Sequence, residues 1–129
     1  MRIEAYFQQI RAMIDACPFL YLSALTCDKR GTYEGFIRGE LAFVDGSVLH
    51  FREFVDVETA ADRLMYVYQY MDVARNLVFR YDNTGHHKDL NLRTYPHHKH
   101  DGSEDDVVAA VAPDLETVLS EIGELVRLS

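Results

Sequence analysis

Five of the six histidines of this 129-residue chain lie within fifteen positions. They are His86, His87, His97, His98 and His100. An imidazole titrates near neutral pH, so it can transfer protons, and it also binds metal ions. The cluster therefore predicts a functional site for acid–base chemistry or for a metal. A solvated histidine-rich loop without chemistry is the third interpretation.

Metal-free acid–base catalysis on a phosphodiester is the interpretation we favour. One histidine would take a proton from a ribose 2′-hydroxyl, while another would protonate the leaving oxygen. A nearby cation would hold the phosphate and stabilise its developing charge. The sequence offers four such cations around the histidines: Arg80, Lys88, Arg93 and Lys99.

A metal site is the alternative use of the same histidines. His98 and His100 are two residues apart, so both imidazoles point to one side of an extended segment. With His86 or His87 as a third nitrogen ligand, they could bind a divalent ion such as zinc and leave a position for water. No HExxH or CxxC pattern supports a metal. The cofactor is therefore either none or a divalent metal.

Arg80 and Asp82 share one face of a predicted strand that leads towards His86. They could form a phosphate clamp with a carboxylate that orients a histidine, or an ion pair on a solvated sheet face. The same two interpretations apply to charged residues on neighbouring predicted strands: Arg38, Glu40, Arg52 and Glu53. Of these we expect Arg38 and Glu40 to belong mainly to a solvated face.

The two ends of the chain predict helices. In residues 2–16, Ile3, Phe7, Ile10 and Ile14 recur at steps of three and four, and Pro18 ends the pattern. A second apolar stripe follows Asp114, which is suited to cap a helix.

Between the helices the pattern predicts five strands joined by short turns, with a strong hairpin signal at Asp45-Gly46. The strands are Phe19–Thr26, Tyr33–Val44, Val48–Val55, Leu64–Met71 and Leu77–Asp82. Tyr66, Tyr68 and Tyr70 alternate along the fourth strand. They could stack nucleic-acid bases, but we favour a place in the core under a helix. Residues 56–62 could form a helical turn.

Residues 83–106 predict a long, mostly irregular connection with one short strand near residues 90–95, and connections this long are usually functional. The acidic run Asp101–Asp106 is expected to be a solvated loop. The prediction is thus a single α+β domain, 1–129, with an N-terminal helix, a five-stranded antiparallel meander sheet, a long His-rich loop and a C-terminal helix.

The net charge of −8 argues against non-specific nucleic-acid binding. The charge is uneven, because residues 75–100 carry a net +3. No apolar run is long enough to cross a membrane, and the first residues lack the apolar stretch of a signal peptide. Two cysteines, Cys17 and Cys27, are expected to stay reduced. We therefore expect a cytoplasmic protein without a membrane partner.

Four short motifs resemble the TumE family of prokaryotic toxins in order and spacing. They are the Arg-Glu-Phe of residues 52–54, the Arg-Tyr-Asp-Asn of residues 80–83, the His pair 86–87 and the Pro-His-His-Lys-His of residues 96–100. The resemblance covers nearly the whole chain. The polar positions that match are those isolated above: Arg52, Glu53, Arg80, Asp82, His86, His87, His97, His98 and His100.

The resemblance implies the toxin component of a toxin–antitoxin module, countered by a DNA-binding antitoxin of the winged-helix type. We expect a ribonuclease or another phosphodiester-acting enzyme, with cellular RNA as its substrate and Arg52, Lys88, Arg93 and Lys99 as substrate-binding residues. Its chemistry would use the five clustered histidines with Arg80 and Asp82. The alternatives are a non-catalytic partner-binding protein, with a structural metal or none at the histidines, and a metal-dependent hydrolase that would use His86, His98 and His100.

Overall fold

A computed structural model describes residues 1–83, 96–110 and 112–128. Within these ranges the chain forms two helices, α1 (Ile3–Asp15) and α2 (Leu115–Leu128), and the described strands lie between them in the sequence. The strands are β1 (Leu20–Lys29), β2 (Glu34–Phe43), β3 (Val48–Asp56), β4 (Asp62–Met71), β5 (Leu77–Asp82), β6 (His98–Asp101) and β7 (Val107–Ala109). They form one antiparallel sheet in chain order.

The predicted α+β class, both helices and the five predicted strands are confirmed, with ends that move by a few residues. The count of five strands is wrong, because β6 and β7 extend the meander to seven. The prediction of an irregular connection is therefore also wrong at residues 98–101, where backbone pairing with β5 makes a strand of a polar segment, whereas residues 102–106 form a loop as predicted. The possible helical turn before β4 is absent, since residues 58–60 form bends. The short strand expected near residues 90–95 lies outside the described residues.

Both helices pack on the same face of the sheet and build the core there. Tyr66, Tyr68 and Tyr70 are at most 3% exposed in that core, which confirms them as core residues. Gly39 of β2 lies opposite Phe51 of β3, and a Cβ on this glycine would come within 2.2 Å of the phenyl ring. Asp114 begins α2 as predicted, since its carboxylate accepts a hydrogen bond from the Thr117 amide at 2.8 Å.

The opposite face, which neither described helix covers, carries polar side chains in two cross-strand rows. We call it the open face. The strand register defines one row from β1 to β6 as Thr26, Arg38, Arg52, Val67, Asp82 and His98. The neighbouring row consists of Ala24, Glu40, His50, Gln69, Arg80 and His100. Residues far apart in sequence therefore meet on the open face.

Within the described ranges, neither helix is long and apolar enough to cross a membrane.

Candidate functional site

The register between β5 and β6 assembles four of the predicted site residues. Asp82 pairs with His98, and Arg80 pairs with His100. Because side chains alternate along a strand, all four point to the open face. We call them the histidine cluster. Asp82, His98 and His100 are at most 2% exposed, whereas the Arg80 side chain is 22% exposed and reaches the surface.

Both ring nitrogens of His98 face oxygen atoms. Nδ1 lies 2.9 Å from the carbonyl oxygen of Pro96, and Nε2 lies 2.8 Å from Oδ1 of Asp82. The carbonyl can only accept, so Nδ1 carries a proton. The carboxylate beside Nε2 would pair with His98 in its protonated form.

His100 has a different arrangement. Its Nδ1 lies 2.9 Å from the backbone carbonyl oxygen of Glu104, which assigns a proton to Nδ1. Its Nε2 lies 3.0 Å from a terminal nitrogen of Arg80, and a guanidinium can only donate. Nε2 of His100 therefore lies between the Arg80 guanidinium and the Asp82 carboxylate, whose Oδ2 is 3.5 Å away. The two rings are 5.0 Å apart.

Arg80 joins the cluster to the surface. Its Nε lies 3.2 Å from Oδ2 of Asp82, and its Nη1 donates to Glu104 at 2.6 Å and to Gln69 at 3.4 Å. Glu104 is 58% exposed. An exposed carboxylate thus lies on the guanidinium edge that faces solvent, the position at which an anion from solution would bind.

Asp82, His98 and His100 could also hold a metal ion, since one ligand atom of each lies within 4.8 Å of the others. Two histidines and a carboxylate suit a divalent transition metal, and both Nδ1 protons already have carbonyl acceptors. Arg80 opposes this use, because its guanidinium lies against Nε2 of His100. These residues would fit a metal only if Arg80 moved away.

The structure separates two other predicted residues from the histidine cluster. His97 stacks on Tyr66 and lies 2.8 Å from its hydroxyl, on the helix-covered side. Lys99 donates to Glu121 of α2 at 3.1 Å and lies over the Tyr81 ring. Burial lowers the pKa of Lys99, but contacts with Tyr81 and Glu121 outweigh it, so the pKa is raised.

Arg52 lies on the open face, two strands away from Asp82. The remaining predicted residues lie outside the described part of the chain: His86, His87, Lys88 and Arg93.

Glu53 lies on the helix-covered side, fully buried. Its carboxylate accepts hydrogen bonds from Tyr6 of α1 at 2.5 Å and from Tyr68 of β4. Burial and the nearby Glu53 charge raise the pKa of both tyrosines. Arg63 donates to Tyr68 at 2.9 Å and to the carbonyl of Pro113. This cluster ties α1 and the segment before α2 to the sheet, and it is separate from the histidine cluster.

Sequence reasoning placed Glu53 among the matching polar positions but missed the partners that bury it. The available signal was its position in the alternation of β3, where it shares a face with Leu49, Phe51 and Val55.

Fold and cluster together define a small α+β protein in which one sheet face packs against helices and the other gathers ionisable side chains. A family model described as Toxin TumE matches residues 10–126, and the chain therefore belongs to the TumE toxin family. The resemblance noted from the motifs is thus confirmed, and the chain is a toxin component of a toxin–antitoxin system with a cognate antitoxin as its partner. No curated protein and no solved structure matches the chain significantly.

Proposed function

We propose that this toxin cleaves RNA by metal-free acid–base catalysis at the histidine cluster. The observation that carries the proposal is the different surroundings of two neighbouring imidazoles. Nε2 of His98 lies 2.8 Å from a carboxylate oxygen of Asp82, whereas Nε2 of His100 lies 3.0 Å from a terminal nitrogen of Arg80. A charged imidazole beside a neutral one supplies the acid and the base that phosphodiester cleavage needs.

In the proposed step, Arg80 turns from His100 to the bound phosphate. The freed Nε2 of His100 takes the proton of a ribose 2′-hydroxyl, and the resulting oxygen attacks the adjacent phosphorus. His98 gives its proton to the departing 5′-oxygen as the P–O bond breaks. The products are a 2′,3′-cyclic phosphate and a 5′-hydroxyl, so atoms and protons balance. Asp82 orients His98 and stabilises its charged form.

Arg80 would anchor the scissile phosphate. Its side chain is the most exposed of the cluster, and a planar guanidinium can hold two phosphate oxygens. The incoming phosphate would displace the Glu104 carboxylate, which frees the guanidinium and moves the turn that contacts His100.

We also propose that His86 and His87, which the sequence groups with the catalytic histidines, bind the substrate together with Lys88 and Arg93. We further propose that the antitoxin is a DNA-binding protein of the winged-helix type, and that the toxin acts on RNA in the cytoplasm.

A second candidate function is non-catalytic binding of the antitoxin or another partner. The burial of three members of the histidine cluster favours it, since a closed ionic network can serve stability alone. In that case the cluster would only stabilise this end of the sheet, and substitution of its histidines would leave toxicity unchanged.

The test is pulsed expression in a host without the antitoxin, followed by RNA integrity and end mapping. The comparison is the double variant His98→Ala, His100→Ala, checked for folding by circular dichroism. We expect RNA to be cut by the native chain, with cyclic phosphate ends that persist in a chelator, and to be spared by the variant. Intact RNA with arrested growth would remove the ribonuclease proposal and leave the toxin with another target. Cleavage that a chelator abolishes without unfolding would support the metal-dependent hydrolase.

A further inference from the structure

A cleft of about 570 Å³ lies on the open face beside the histidine cluster. Its walls include Arg38, Arg52, Glu40, His50 and Gln69. We propose that this cleft is a second phosphate subsite that binds single-stranded RNA next to the cleaved bond. The proposal rests on the function proposed above and deepens it, because it makes the substrate an oligonucleotide rather than a mononucleotide.

Arg38 and Arg52 carry the argument. They lie directly opposite each other on β2 and β3, and both are exposed. Like charges at directly opposite positions destabilise a sheet. Among the described residues no carboxylate forms an ion pair with either guanidinium. A phosphate between the two would replace this repulsion by charge-assisted hydrogen bonds.

Two aromatic rings adjoin the arginine pair. Phe36 and Phe54 lie opposite each other on the open face, two residues along their strands from Arg38 and Arg52. Both rings are partly exposed. Aromatic side chains on an exposed sheet face stack unpaired bases, and the adjacent cations follow the backbone. Two rings beside two guanidiniums favour a single strand over a duplex, whose bases are already stacked.

The cleft is continuous with the histidine cluster. Gln69 lines the cleft, and its side-chain oxygen accepts a hydrogen bond from Arg80 at 3.4 Å. Arg52 and Asp82 are two strands apart in one row, or about 10 Å at the usual strand spacing. One phosphate cannot span that distance, whereas neighbouring phosphates of one strand can.

The acidic net charge does not oppose this site. Helix α2 carries three glutamates, Glu116, Glu121 and Glu124, against Arg127, and it packs on the other face of the sheet. At physiological salt, exposed charges more than about 8 Å apart are largely screened. In the cleft wall, Arg38 and Arg52 outnumber one carboxylate, Glu40, which lies 3.3 Å from Nε2 of His50, so the local charge favours a phosphate.

The experiment is fluorescence-anisotropy binding of a labelled 2′-O-methyl octanucleotide, which lacks the nucleophilic hydroxyl and stays intact. Wild type is compared with the double variant Arg38→Gln, Arg52→Gln. The matched control is Arg30→Gln, Arg127→Gln, which removes two exposed, ion-paired arginines outside the cleft and gives the same net charge. Each single cleft variant is measured as well, and thermal melting checks that all of them fold.

We expect the slope of log affinity against log salt to fall by about 1.4 in the cleft variant, since each phosphate contact to a single strand contributes about 0.7. Between about 50 and 200 mM salt, wild type would then lose about sevenfold more affinity than the variant. The control should keep the wild-type slope. An unchanged slope in the cleft variant, or no binding by wild type, overturns the subsite. Binding that depends on the arginines without RNA cleavage would support the subsite and remove the nuclease proposal.

Discussion

Arg80 serves two roles in the proposed site, and one substitution pair separates them. Its guanidinium compensates the buried Asp82 carboxylate and would also anchor a phosphate. Arg80→Met keeps the length of the side chain but removes every donor. Asp82→Asn keeps the shape of its side chain but removes the charge. The double variant removes both charges at once.

The expected cost of Arg80→Met follows from the contacts it removes. A hydrogen bond to a charged group contributes about 1.5–3 kcal/mol, and the bond to His100 about 1 kcal/mol. His98 still faces the carboxylate at 2.8 Å, so the loss should stay below the full cost of an unpaired buried charge. We expect the free energy of unfolding to fall by about 3 kcal/mol. For a chain of this length, that lowers Tm by about 10 °C.

Urea unfolding of the wild type, both single variants and the double variant gives the coupling energy between the two sites. We expect the double variant to lose about 2 kcal/mol less stability than the two single variants lose in sum, because no buried charge is left uncompensated. RNA cleavage should not recover with it, since a lost electrostatic anchor lowers the rate by about 10²- to 10³-fold. Arg127→Met, which breaks an exposed ion pair, is the control and should change stability by less than about 0.5 kcal/mol.

A coupling energy near zero would refute the reasoning, because Arg80 would then not compensate Asp82. Recovery of cleavage together with stability would assign Arg80 a structural role alone.

Three further predictions concern other parts of the protein. Burial raises the pKa of Tyr66 to about 12, so the native state holds this proton more tightly than the unfolded chain. The stability that this pKa shift contributes is complete below pH about 10 and should be lost as the pH rises to about 12, about 3 kcal/mol in all. Tyr68 should extend this loss to higher pH. Alkaline unfolding followed by circular dichroism tests the prediction. Gly39→Ala should lower the free energy of unfolding, measured in urea, by about 1–3 kcal/mol, because the added Cβ would overlap a phenyl ring. Gly31→Ala is the control: its Cβ would meet no atom within 4 Å, so the free energy of unfolding should change far less. Glu104→Gln should remove the negative charge that competes with the substrate phosphate for Arg80, and it should therefore lower the KM for RNA. An unchanged or raised KM would contradict this.

The fold was largely predictable because most of its elements bury one face. Alternation located β2 to β5, and helical periodicity located α1 and α2. β6 was not predictable by the same signal. His98 and His100 share a buried face with no apolar residue in the strand, so the segment has no hydrophobic alternation. Pairing with β5 alone makes it a strand.

The residue types of the site were predictable, but their partners were not. The sequence identified Arg80, Asp82, His98 and His100 one by one, because rare titratable types are conspicuous. Which of them meet depends on the register of β5 against β6, across a segment with no turn signal that fixes it. For the same reason Arg38 could be assigned only to a solvated face, although the register places it opposite Arg52.

Two buried carboxylates lie on opposite faces of one sheet and have different partners. Glu53 accepts hydrogen bonds from tyrosine hydroxyls, whose pKa values are raised by burial and by the Glu53 charge, so they stay protonated at neutral pH. This network holds α1 to the sheet. Asp82 instead lies beside the imidazoles of His98 and His100. Similar burial therefore accompanies a structural contact on the helix-covered face, and on the open face the histidine cluster that we propose to be catalytic.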